Sequence, residues 1–75
     1  MTVHHLDAKG LSCPLPVLRA RKALKALPPG AVLEVEATDP GAPKDFRAFC
    51  EATGNRLLLD EAGDGVFRFR IERAG

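Results

Sequence analysis

Hydrophobic and polar positions recur with two different periods along this chain, and the changes of period divide it into six elements. Val3 to Lys9 mixes apolar and polar residues and closes at Gly10, which predicts a first strand ended by a turn. From Leu15 the period lengthens. Val17, Ala20, Leu24 and Leu27 recur at spacings of three and four while Arg19, Arg21, Lys22 and Lys25 stay off that face, and Pro28-Pro29-Gly30 stops the helix. Ala31, Leu33, Val35 and Ala37 then alternate with Val32, Glu34 and Glu36, the signature of a strand with one buried face. Asp39-Pro40 predicts the start of a second helix, with Asp39 as N-cap and Pro40 where no amide is needed; Gly41 and Pro43 can delay entry by a few residues. Phe46, Phe49, Cys50 and Thr53 form the stripe of that helix, and Gly54 is its natural stop. Leu57-Leu58-Leu59 reads as a strand and Ala62-Gly63-Asp64-Gly65 as a turn. The last strand runs from Val66 to Arg73, with Phe67, Phe69 and Ile71 on one face and Arg68, Arg70 and Glu72 on the other, so the final two strands form a hairpin.

The order βαβαββ predicts an α+β fold, a two-layer α/β sandwich in which two helices pack on one face of a four-stranded mixed sheet and the other face is wet. At 75 residues and 8.1 kDa the chain holds a single domain, 1–75, because two cores would each be too small. Hydrophobic residues at 45% and charged residues at 28% set it apart from disordered chains. The N-terminal run from Met1 to Asp7 has no basic stretch leading into an apolar one, and no segment approaches the ~20 apolar residues that span a bilayer. A cytoplasmic protein with no membrane partner is expected.

The candidate chemistry lies at Cys13. If the first helix begins at Pro14, Cys13 takes the N-cap, where an oxygen side chain is normally chosen, although Ser12 can carry part of the capping. A cysteine caps poorly, so the position suggests sulfur kept for reactivity, with the helix N-terminus favouring thiolate over thiol. Pro14 fits the first helical position and Pro16 the same first turn, where missing amides are tolerated; together they stiffen the entry and leave an exposed, simple site. Arg19, Arg21, Lys22 and Lys25 follow with no acidic residue between Leu15 and Leu27, which predicts electropositive surroundings that favour an anionic sulfur. Cys50, on the Phe46/Phe49 stripe, reads as a core residue without chemistry.

The run Leu6-Asp7-Ala8-Lys9-Gly10-Leu11-Ser12-Cys13-Pro14-Leu15-Pro16-Val17-Leu18 resembles the signature of the TusA (SirA-like) sulfur-carrier family, and Asp39-Pro40, Phe49-Cys50 and Gly54 fall in family-like places. The resemblance implies the same βαβαββ sandwich. It implies that Cys13 accepts sulfane sulfur as a persulfide from a cysteine desulfurase or rhodanese-like donor and relays it to an acceptor protein. The ends such a family serves are tRNA thiolation, molybdenum-cofactor assembly and sulfur oxidation. It also implies that Pro14 and Pro16 shape the site and that Asp7 and Gly10 set the approach of the chain. The expectation is a carrier with at most sulfurtransferase-type activity and no cofactor; a thiol-dependent redox regulator and an adaptor that carries no sulfur are the alternatives.

Other patterns carry less. His4 and His5 are adjacent on a strand and point to opposite faces with no third ligand, so no metal site is expected. Net charge is +1 and the chain has no Trp or Tyr for base stacking, so Arg19, Arg21, Lys22 and Lys25 suit docking to an acidic protein surface rather than direct nucleic-acid binding. Arg56, Arg68, Arg70 and Glu72 are expected to decorate the open sheet face.

Overall fold

A computed structural model describes residues 3–75; Met1 and Thr2, part of the N-terminal run read above, lie outside the described residues. The elements follow in the order β1 (Val3–Ala8), α1 (Leu15–Lys25), β2 (Val32–Ala37), α2 (Ala42–Thr53), β3 (Arg56–Gly63) and β4 (Val66–Glu72). The four strands form one sheet in the order β1-β2-β4-β3. β1 runs parallel to β2, while β2–β4 and β4–β3 are antiparallel, so the sheet is mixed as expected. A parallel pair needs a crossover, and α1 supplies it.

Both helices pack on the sheet face whose side chains are Ala8, Leu33, Val35, Ala37, Phe69 and Ile71. α1 contributes Ala20 and Leu24, with Pro16 fully buried beside them, and α2 contributes Ala42, Phe46 and Cys50. Phe46 stacks on Phe69 with ring centroids 4.5 Å apart, tying α2 to the strand at the middle of the sheet. The alternation in β2 and β4 therefore faces the way the sequence reads, and so do the Val17/Ala20/Leu24/Leu27 and Phe46/Phe49/Cys50 stripes.

The opposite face carries a layer of ion pairs, with Val32 buried at one end of it. Glu34 lies between His5 and Arg70, each 3.0 Å away, and Arg68 bridges Glu36 and Glu61 while Lys9 reaches Asp7 and Glu36. The Arg70 hydrogen bond holds the Glu34 carboxyl below the usual carboxylate range against partial desolvation, with the positive charge of Arg70 itself, His5 and Arg68 adding to it. Arg56 reaches Glu72 in the same layer.

Several boundaries differ from the sequence reading, the larger shifts for local reasons. β3 is longer than Leu57–Leu59 because it pairs with β4 as far as Gly63↔Val66, and the turn shrinks to Asp64-Gly65, both with positive φ, as a two-residue hairpin requires. Within β3 the register skips Leu58, which is left as an extra residue. This bulge puts Leu59 opposite Arg70 and Asp60 opposite Phe69, so Asp60 turns toward the helices and meets Arg47 of α2 at 2.6 Å. α2 starts at Ala42 rather than at Pro40, since the Asp39 side chain accepts from the Gly41 amide and closes a turn one step ahead of the helix. At the far end of α1, Leu27 lies past the helix on a tightened turn, and its carbonyl accepts from the Arg73 guanidinium that follows β4.

Candidate functional site

Cys13 sits on the connection between β1 and α1, and that connection is closed by its own polar groups. The Asp7 carboxylate accepts from the Lys9 amide at 2.9 Å and the Leu11 amide donates to Ala8 at 3.3 Å, turning the chain sharply out of β1. Gly10 occupies the left-handed region at φ +81°, where a side chain would be strained, and its amide donates to the Thr38 hydroxyl at the end of β2. Asp7 and Gly10 thus direct the backbone toward the β2–α2 loop, and Cys13 arrives beside it.

The first helix begins one residue later than the sequence suggests. Pro14 is the flanking residue, Leu15 the first helical one and Pro16 lies in the first turn; Cys13 precedes the cap, and the capping residue has no side-chain hydrogen bond. The Ser12 carbonyl, not its hydroxyl, meets the helix by accepting from Leu15 at 2.8 Å. Pro14 is exposed and follows Cys13 through a cis peptide bond, whereas Pro16 is buried under the helix. The two prolines therefore differ: one borders the sulfur, and the other anchors the segment in the core.

The surroundings of the sulfur correct the sequence reading in sign. Cys13 is exposed, and its Sγ donates to Asp45 Oδ2 in the first turn of α2, 2.5 Å away. Asp45 raises the Cys13 pKa above the ordinary thiol value through this hydrogen bond; desolvation adds to the effect, as do the negative charges of Asp45 and Asp39. The α1 cations do not offset this. Arg19, Arg21, Lys22 and Lys25 are all exposed further along the helix, and among the described residues none of them forms a salt bridge. Composition along one helix predicted a thiolate, but the nearest charges come from another helix.

Gly41 completes the site. A Cβ at that position would lie 3.0 Å from the Asp39 carboxylate, 3.6 Å from the Cys13 Cβ and 3.7 Å from its Sγ. The N-terminus of α2 therefore lies beside the cysteine, and a side chain at residue 41 would be tight only against the Asp39 carboxylate. Neither Gly41 nor Asp45 was among the residues read as functional. The only sequence signal for Asp45 is an acid in a helix first turn, which ordinarily serves the helix dipole.

Around the sulfur the surface is open. Leu15 and Leu18, 44% and 50% exposed, lie beside it on α1 and form an apolar margin. A concavity lies further along, between α1 and β1, lined by Leu6, Arg19, Lys22, Ala23 and Ala26. His5 is engaged with Glu34, and among the described residues no three His, Cys, Asp or Glu side chains gather as a metal site would require. No described helix is long and apolar enough to cross a membrane.

Cys13 is thus an exposed thiol on the rim of a two-layer βαβαββ sandwich, with the Asp45 carboxylate against it. The family model described as "Sulfurtransferase TusA" matches residues 4–73, and the chain belongs to that family. Over 69 residues it is 54% identical to the sulfur carrier protein TusA of Allochromatium vinosum, covering 92% of this chain and 91% of that one. It is 40% identical over 68 residues to the sulfur carrier protein TusA of Pseudomonas syringae pv. syringae, covering 91% and 81% respectively. The fold superimposes on the crystal structure of a SirA-like protein from Desulfitobacterium hafniense with a TM-score of 0.82 at 29% identity, covering 99% of this chain and all of that one.

Proposed function

We propose that this protein is a sulfur carrier that takes sulfane sulfur as a persulfide on Cys13 and passes it to a second protein. The observation that supports this reading most directly is the exposed Cys13 thiol, to which Asp45 is the one ionisable side chain hydrogen-bonded among the described residues. A carrier needs little more. In the accepting step the Cys13 thiolate attacks the outer sulfur of a donor persulfide, a new S–S bond forms at Cys13, and the S–S bond to the donor cysteine breaks. The electron pair of that bond leaves with the donor sulfur, which takes up a proton. No net oxidation occurs, and delivery to an acceptor thiol repeats the exchange in reverse.

The suited donors are enzymes that hold a persulfide on a flexible cysteine, a cysteine desulfurase or a rhodanese-like protein, and the acceptor is another protein thiol. The apolar margin of Leu15 and Leu18 and the unpaired cations Arg19, Arg21, Lys22 and Lys25 form a continuous side of α1 suited to docking an acidic partner with an apolar centre. Pro14 fits a shaping role beside the sulfur, and Asp7 and Gly10 a role in aiming it.

The test is direct. Incubated with a cysteine desulfurase and cysteine and weighed intact without reductant, the protein is expected to gain the mass of one sulfur, to lose it on reduction, and to gain nothing as Cys13→Ser. Absence of the adduct in the unsubstituted protein would refute the carrier reading.

A further inference from the structure

The Cys13–Asp45 contact has a chemical direction. A carboxylate can accept a hydrogen bond from a thiol but not from a thiolate, so ionising Cys13 costs that bond and leaves a second negative charge against Asp45. The other charged groups near the sulfur do not relieve this. Asp39, from the β2–α2 loop, adds negative charge, the first turn of α1 contributes Leu15, Pro16 and Val17, and Lys9 is engaged by Asp7 and Glu36. Lys44, next to Asp45, is exposed, and among the described residues it has no salt bridge. The contact is also held in place: the Asp45 amide donates to the Gly41 carbonyl at 3.1 Å, which fixes Asp45 in the first turn of α2, and position 41 lies within van der Waals range of Cys13.

We propose that Asp45 is a selectivity residue that holds the unloaded Cys13 protonated, keeping it slow toward free disulfides and small electrophiles until a docked partner draws the Asp45 carboxylate into its own hydrogen bonds. The thiolate is the nucleophile, and each unit by which a thiol pKa rises above the ambient pH lowers its thiolate fraction about tenfold, while intrinsic nucleophilicity recovers only about half of that on a logarithmic scale. Protonation therefore slows Cys13 on balance. A partner that brings an arginine, a lysine or free amides to Asp45 removes the acceptor and screens the charge, and the thiolate appears where the donor sulfur is waiting. The biological sense of this arrangement rests on the carrier reading, but the protonation itself does not.

The experiment is the rate of Cys13 alkylation by iodoacetamide against pH in the intact folded protein, for the unsubstituted chain, Asp45→Asn and Asp45→Glu, with circular dichroism confirming each fold. Asp45→Asn is expected to move the midpoint of the profile to lower pH and to react several-fold faster at pH 7, and Asp45→Glu to restore much of the slow behaviour. Asp39→Asn, which leaves the thiol contact in place, should move the midpoint the same way by less. An unchanged midpoint in Asp45→Asn would overturn the proposal, as would slower alkylation, which would make Asp45 a base that activates the thiol. Treatment with inorganic polysulfide, read by intact mass, separates the two readings: a chain that takes up no sulfur yet shows the Asp45→Asn shift keeps the proton-holding role and loses only the carrier assignment.

Discussion

The two cysteines of this chain have opposite environments. Cys50 is 5% exposed on the inner face of α2, and burial pushes its thiol pKa up, whereas Cys13 stands in solvent with its proton held by a carboxylate. A disulfide-exchange reagent such as dithionitrobenzoate should therefore modify one thiol in the native protein and a second only after denaturation, and native Cys13→Ser should show no prompt reaction. Two native thiols reacting together would contradict the burial of Cys50. The fate of Cys50 was legible from the Phe46/Phe49 stripe, and the exposure of Cys13 from its prolines. Asp45 was not legible, because it is 32 positions from Cys13 and a first-turn acid has an ordinary local explanation. Only tertiary contact makes it a partner of sulfur.

Among the elements, those with strong periodicity were readable throughout and those governed by pairing were not. The α2 stripe fixed which face would be buried, and its central residue carries the packing. Phe46→Ala should lower the unfolding free energy by about 3–5 kcal/mol, because it removes a fully buried ring stacked on Phe69 and leaves a cavity between the layers. Chemical denaturation followed by circular dichroism would measure it, and a loss under 1 kcal/mol would mean that the helix does not depend on this contact. β3 was underread because residues 60–63 lack apolar alternation and are strand only through hydrogen bonding to β4. The bulge at Leu58 is invisible in a run of three leucines for the same reason: any register satisfies it locally. The helix starts were displaced by one or two residues, since Asp39 and the prolines mark the approach to a helix as readily as its first residue.

For the whole molecule, a net charge of +1 conceals a segregation of charge between surfaces. On the open sheet face the cations Lys9, Arg56, Arg68 and Arg70 are matched by acids, while among the described residues the four on α1 have no salt bridge. Neutralised charge discourages association and unmatched charge invites it, so the proposed docking of an acidic partner is expected on the helix side. Reversing Arg19, Arg21, Lys22 and Lys25 to Glu should slow sulfur uptake from a desulfurase at least tenfold at low salt while leaving uptake from inorganic polysulfide unchanged. Equal slowing of both would point to damage at Cys13 instead. The same architecture has a consequence in entropy. Pro16 is buried three residues beyond the exposed thiol, and Gly41 closes on its other side. The backbone that presents the sulfur was ordered when the chain folded, so an encounter does not have to immobilise it again. Each loop residue spared that step saves about 1–2 kcal/mol of ordering free energy. Residence on a partner can then be brief without being unproductive, which is what a molecule that must leave one protein to reach the next requires.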